Sequence, residues 1–451
     1  MDKSAVREVA QKARQQLEEM VQKNLSALHA CRLSGDDAFR RDILLKEEEQ
    51  QGTSVLCKKA AYRFFRELIA VRYMEVNGYL SYRVLSSQNS DTTEPDFLAH
   101  WLLTHQDTLD RDALFTKLFQ KTCFSLASQM PDYFPVPDEM DLLLSLSYRK
   151  GVVRTLCDGL PEEEWLGQVE LIGWLYQSYH LKEKNAAIDL YAGKVKMKNL
   201  TAATQFFTTD WVVRYMVENS LGRVWLEGHP ESHLRREMPY YLDLPKEAPK
   251  TPRAPMEPRD LKILDPCMGG GHILVYAFEL LLKIYSECGV SPKRAASLIL
   301  QDNLYGLDID ERSRELTAFA LLMKARSCDP DIFQKGVTLH FAAIHHSRKI
   351  DKEALHYASG GNEALYDDLQ KLAAAFYYGD QFGSILNAPK VDLKALKSRF
   401  FVIRGEQYPD NLFHMEAQRK ALQELWPLVC QAEIMGQKYA CVVTNPPYLN
   451  H

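Results

Sequence analysis

Between residues 261 and 344 short apolar runs alternate with longer helical patterns, and that order admits few folds. Leu261 to Leu264 reads as a strand, Gly271 to Cys288 as a helix, Leu304 to Leu307 as a second strand and Glu311 to Ser327 as a second helix. Val337 to Ile344 makes a third strand, residues 351–435 are mainly helical, and Tyr439 to Thr444 makes a fourth strand. Strands joined through helices run parallel, with helices covering both faces of the sheet. Loops that leave the carboxyl ends of such strands are where ligands gather.

The residues before this region follow another rule. Val6, Ala10, Ala13, Leu17 and Val21 recur at helical spacing, as do Ala61, Phe64, Phe65, Leu68, Val71 and Met74. Further helical patterns run from Ala113 to Ala127, Met140 to Tyr148 and Trp165 to Tyr179. Stripes of this kind are core, and no chemistry is legible in them. A helix from Trp211 to Leu226 follows, with Thr209 or Asp210 placed to cap it. Pro245, Pro249, Pro252, Pro255 and Pro258 then mark residues 228–260 as a surface excursion. The expected division is a helical domain over 1–195 and an α/β domain over 196–451 that carries this excursion.

Composition excludes several classes. The nine cysteines include no C-x-x-C pair, and no histidine stands at metal-ligand spacing, so neither a metal site nor a disulfide framework is expected. No apolar run approaches a membrane span and no leader pattern opens the chain, which suggests reduced thiols in a cytoplasmic protein. A net charge of -5 sets the whole surface against phosphate binding, so a nucleic-acid partner would need a local basic face. Lys194, Lys196 and Lys198 alternate in a way that offers one, although a solvated edge strand has the same pattern.

Two loops carry the chemistry. Asp265-Pro266-Cys267-Met268-Gly269-Gly270-Gly271 lies between the first strand and its helix, where glycines let the backbone pass close beneath a ligand. Asp308 ends the second strand, placed to accept from both hydroxyls of a ribose, and Ile309 follows it where an adenine ring could lie. A tight turn and a helix cap are the plain alternatives for these two features. The loop is not a spaced G-x-G-x-x-G, so a nucleoside with an amino-acid tail, S-adenosyl-L-methionine, fits better than a dinucleotide. Its carboxylate would meet the helix start and Thr208. After the fourth strand comes Asn445-Pro446-Pro447-Tyr448. An exocyclic amino nitrogen is a poor nucleophile until acceptors hold its hydrogens, and the Asn445 side-chain carbonyl and Pro446 backbone carbonyl are two such acceptors. The prolines stiffen the turn and Tyr448 offers a face for stacking a base.

Phe206-Phe207-Thr208, Asp265 to Leu274, Gly306 to Asp310 and Asn445 to Tyr448 together resemble motifs X, I, II and IV of the gamma-class amino DNA methyltransferases. Ala70 to Leu80 and Ala202 to Thr208, running into Tyr215 to Arg223, narrow the resemblance to the adenine-specific DNA methyltransferases of BREX phage-defence systems. The resemblance implies a Rossmann-like class I fold with strand order 3-2-1-4 in the part present. It also implies S-adenosyl-L-methionine as cofactor, adenine N6 in double-stranded DNA as substrate, and other BREX proteins as partners. Met268, Gly270 and Ile273 depart from the commoner motif residues. The family's acid after the third strand is not evident after Ile344, and Asp380 is the candidate. The chain stops after motif IV, so the later strands and the target-reading region are expected to be missing. That leaves a second reading, a truncated and catalytically inactive fragment acting as a partner-docking module. A protein-glutamine methyltransferase, which shares Asn-Pro-Pro-Tyr, is disfavoured by the helical domain and the Asp265-Pro266 opening.

Overall fold

The computed structural model describes residues 2–106, 109–181, 208–243, 253–406 and 412–446, with the backbone alone at Leu412 and Phe413. It divides into two compact units, Met1–Ala186 and Ala187–His451. The boundary expected after residue 195 lies outside the described residues, as do Lys194, Lys196 and Lys198.

The first unit is helical, with long helices at Lys3–Ala30, Asp36–Gln51, Thr53–Val76 and Arg111–Ala127. Asp2 opens the first by accepting from the backbone N–H groups of Ser4 and Ala5, which satisfies donors that a helix start leaves bare. Its stripe from Val6 to Leu28 is buried, and it packs on Thr53–Val76 and on Glu170–Tyr179. Arg72 and Glu75 are buried inside this unit, joined at 2.7 Å. The second Glu75 oxygen accepts from the N–H groups of Val84 and Leu85, both at 2.7 Å, so both oxygens of the buried carboxylate are engaged. Met140 to Tyr148 does not form the expected helix. A 3-10 turn at Glu139–Leu143 ends it, because the Thr116 hydroxyl takes both the N–H and the C=O of Leu146 and pulls the chain into an extended course.

In the second unit the helix expected over Trp211 to Leu226 forms as Asp210–Val217 and Arg223–Gly228 with a π-turn, Glu218–Gly222, between them. The widened turn seats the fully buried Glu218 carboxylate, which accepts from the Tyr276 hydroxyl and the Tyr240 N–H, each at 2.7 Å. Tyr240 belongs to the stretch expected to be a solvent excursion. Leu234 and Met238 in the same stretch are buried, so residues 228–243 fold back onto the domain.

Among the described residues four parallel strands form the sheet: β1 Ile263–Asp265, β2 Leu304–Asp308, β3 His340–Ala343 and β4 Cys441–Val442, in the order β3-β2-β1-β4. Asp265 pairs with Gly306, and Asp308 with Ala343, so the carboxyl ends of the strands align. Ladder bonds run one residue past β4, where Val443 N–H donates to the Leu264 carbonyl at 2.9 Å. Between β3 and β4 the chain builds a helical layer with its own core of Leu355, Leu369, Phe376, Phe400, Leu425 and Leu428. Its last helix, Trp426–Met435, fixes the exit of β3: Gln431 bonds both the N–H and the C=O of His345, at 2.8 and 3.2 Å.

Candidate active site

The loop after β1 is shaped by backbone sterics. Gly269 and Gly271 both hold positive φ, +51° and +81°. A Cβ on Gly271 would sit 2.9 Å from the Thr317 hydroxyl of the helix Glu311–Cys328, whereas one on Gly269 would meet nothing within 4 Å. Gly271 is therefore a packing glycine, and Gly269 an open one over which a ligand can pass. Met268 pins the loop to β2 by donating its N–H to the Leu307 carbonyl at 3.0 Å.

Asp308, at the end of β2, reaches across to that loop. One carboxylate oxygen accepts from the Gly269 N–H and the other from the Asp310 N–H, each at 2.9 Å. It is not the cap of the following helix; Asp310 is, accepting from the Arg312 N–H. A carboxylate offers about four lone-pair sites, so Asp308 keeps acceptor capacity beyond these two bonds. Burial pushes its pKa up to about 6. Ile309 follows it, with Gly383 packed against its side chain.

Asp265 behaves differently. Its side chain is fully buried, holds the Cys267 N–H at 3.1 Å and lies beside the Thr444 hydroxyl, and burial pushes its pKa up to about 7. It braces the loop through the Cys267 N–H, and its Oδ2 atom is buried with no geometric hydrogen-bond partner among the described residues. Pro266 is half-buried in the turn that follows.

Beyond Ile309 opens a cleft of about 370 Å³, lined by Ile309, Glu311, Ile344, His345, Asp380 and Gln423 among others. Asp380 stands on the short helix Gly379–Phe382, its carboxylate paired with Arg348. Its Oδ1 atom is buried with no hydrogen-bond partner among the described residues, an acceptor awaiting a donor.

On the far side of β1, Asn445 leaves β4 and its amide nitrogen donates to the Thr208 hydroxyl oxygen at 3.0 Å. Thr208 precedes the helix Asp210–Val217, which packs on the helix that the glycine loop opens, His272–Glu287. Pro446 is exposed. Pro447, Tyr448, Phe206 and Phe207 lie outside the described residues. Thr208, Gly269, Asp308, Ile309, Asp380 and Asn445 thus converge on one end of one sheet. Sequence reasoning did not single out Thr444, Arg348 or Ser384, whose hydroxyl lies 4.0 Å from the Cys267 sulfur. Only Thr444 had a signal, its place directly before Asn445.

Residues 302–451 match the Eco57I restriction-modification methylase family. An adenine-specific methyltransferase BrxX of Escherichia coli O9:H4 (strain HS) is 35% identical over 464 aligned positions, covering 91% of this chain. An adenine-specific methyltransferase PglX of Lacticaseibacillus casei (strain Zhang) is 32% identical over 466, covering 92%. The chain belongs to this methyltransferase family. It spans 37% of the first relative's length and 38% of the second's. Coverage of 91% of the chain takes in most of the helical unit, which is therefore common to this chain and the two relatives rather than peculiar to it. Membership implies a methyl donor, and the sheet order β3-β2-β1-β4 is the one that the motif order anticipates. Among the described residues no helix is long and apolar enough to cross a membrane, and no cluster of potential metal ligands occurs.

Proposed function

We propose that this protein binds S-adenosyl-L-methionine and methylates the N6 amino group of an adenine in double-stranded DNA, as part of a BREX-type defence system. One observation carries the reading: Asn445 and Thr208, 237 positions apart, are hydrogen-bonded at the sheet end that also holds the glycine loop and Asp308. The cofactor, when bound, supplies an electrophilic methyl group. The residues present fit it, since Gly269 leaves open space above its backbone, Asp308 retains lone pairs, and Asp380 presents an unused buried oxygen.

In this reading Asp308 accepts from the ribose hydroxyls, Ile309 covers one face of the adenine ring of the cofactor, and Asp380 accepts from that ring's amino group. The Thr208 hydroxyl and the start of the helix that the glycine loop opens, His272–Glu287, hold the carboxylate. The target adenine must leave the DNA stack to reach Asn445. There the Asn445 carbonyl and the Pro446 backbone carbonyl accept the two N6 hydrogens, drawing the nitrogen toward tetrahedral geometry and localising its lone pair. Tyr448 would offer a face for stacking the base.

Calorimetric titration of S-adenosyl-L-methionine tests the cofactor half. The wild-type chain should bind, and Asp308→Ala should bind tenfold or more weakly, since each charge-assisted hydrogen bond lost is worth about 1.5 to 3 kcal/mol. Absence of binding by the wild type would sink the reading.

A further inference from the structure

The Asn445 side chain lies two residues beyond the last ladder bond of β4, at Val443, so the sheet itself does not fix its rotation. Rotation matters because a primary amide has two unlike ends. The oxygen accepts, whereas the NH2 group donates, and an NH2 turned toward another amino group would repel it. The contact at 3.0 Å places the NH2 end on Thr208 and so leaves the oxygen for the base. We infer that Thr208 is a positioning residue for Asn445, holding the amide nitrogen so that the amide oxygen is aimed at the amino group to be methylated.

This inference rests on the proposed roles of Asn445 and Thr208, and it adds an order of events. A threonine hydroxyl has one hydrogen and two lone pairs, and alone it could hold either end of an amide. Once its hydrogen is donated to a carboxylate, only lone pairs remain, and these accept the NH2 end and reject the oxygen. Cofactor bound at Thr208 therefore locks in the Asn445 rotamer seen here, the one that can activate the base, so the base acceptor is held firmly only when the methyl donor is present.

Nitrogen-15 NMR on protein labelled in asparagine side chains reads this directly, with the Asn445 NH2 pair identified by its loss in Asn445→Ala. Thr208→Val should shift that pair and speed its exchange with water, and Thr208→Ser should restore both. Adding S-adenosyl-L-methionine should slow NH2 exchange several-fold in the wild type and leave it unchanged in Thr208→Val. Thr208→Ala gives the same comparison should valine disturb folding. An NH2 pair indifferent to loss of the Thr208 hydroxyl would overturn the positioning role. A wild type that binds cofactor with no change in that pair would overturn the ordering. A wild type that binds none, with the shift in Thr208→Val intact, would refute the proposed function and leave the contact standing.

Discussion

Two aspartates end neighbouring strands, and packing gives them different tasks. Asp265 is fully buried beside Thr444, while Asp308 is only partly buried at the end of β2. A strand-end acid is legible in sequence, and Asp308 stands where that rule puts it. The burial of Asp265 was not legible, because Thr444, which lies beside it, follows β4, far along the chain. The raised pKa of Asp308 has two consequences of opposite sign. The folded chain holds this proton more tightly than the unfolded one, so the group's contribution to stability falls as pH rises from about 4 through about 6. Its acceptor role needs the ionised form, which grows over the same interval. Cofactor affinity should thus be full above about pH 7 and fall about tenfold per unit well below pH 6. Titrations across this range check it, with Asp308→Ala expected to show a flatter profile. Affinity that holds constant down to pH 5 would remove the Asp308 carboxylate from the site.

At the level of elements, the strand-helix alternation located all four strands, and the differences lie at their ends and in the excursions. β4 shortens from the expected Tyr439 to Thr444 to Cys441–Val442, yet Ala440 still donates to Lys262, just before β1, and Val443 to Leu264 within it. Met140 to Tyr148 kept a helical pattern and lost the helix to one tertiary contact, the Thr116 hydroxyl. Residues 228–243 looked solvated because of the prolines after them, but Leu234 and Met238 are core. Local pattern cannot report a partner that is distant in sequence. The glycine loop, in contrast, yields a graded expectation from backbone sterics. Gly269→Ala should destabilise the protein by about 1 kcal/mol, the ordinary penalty of a left-handed residue, and Gly271→Ala by more than about 2 kcal/mol, because its Cβ also meets Thr317. Urea unfolding of the two variants measures the difference, and equal midpoints would contradict the packing role given to Gly271.

Over the whole molecule, charge and length bear on where DNA would be gripped under the proposed function. The net charge of -5 leaves residues 1–451 poorly suited to a general phosphate surface, and the two relatives are far longer than the part matched here. The described sheet end carries the proposed cofactor site and the proposed base acceptors; groove-reading elements are proposed to lie in the relatives' further length. The family was legible from four short motifs, three of which follow strand ends, while Thr208 of the fourth precedes a helix. What the motifs did not show is the Asn445 to Thr208 contact, which exists only once the fold brings the loops together. The central claim is that Asn445 activates an adenine amino group. Its most direct measurement is the mapping of N6-methyladenine in the genome of cells carrying the gene in its natural setting, with and without Asn445→Ala at the chromosomal locus. The account predicts methylation at one recurring sequence in the parent strain and its complete loss in the variant, with the protein still present and still binding S-adenosyl-L-methionine; methylation that survives the substitution would contradict it.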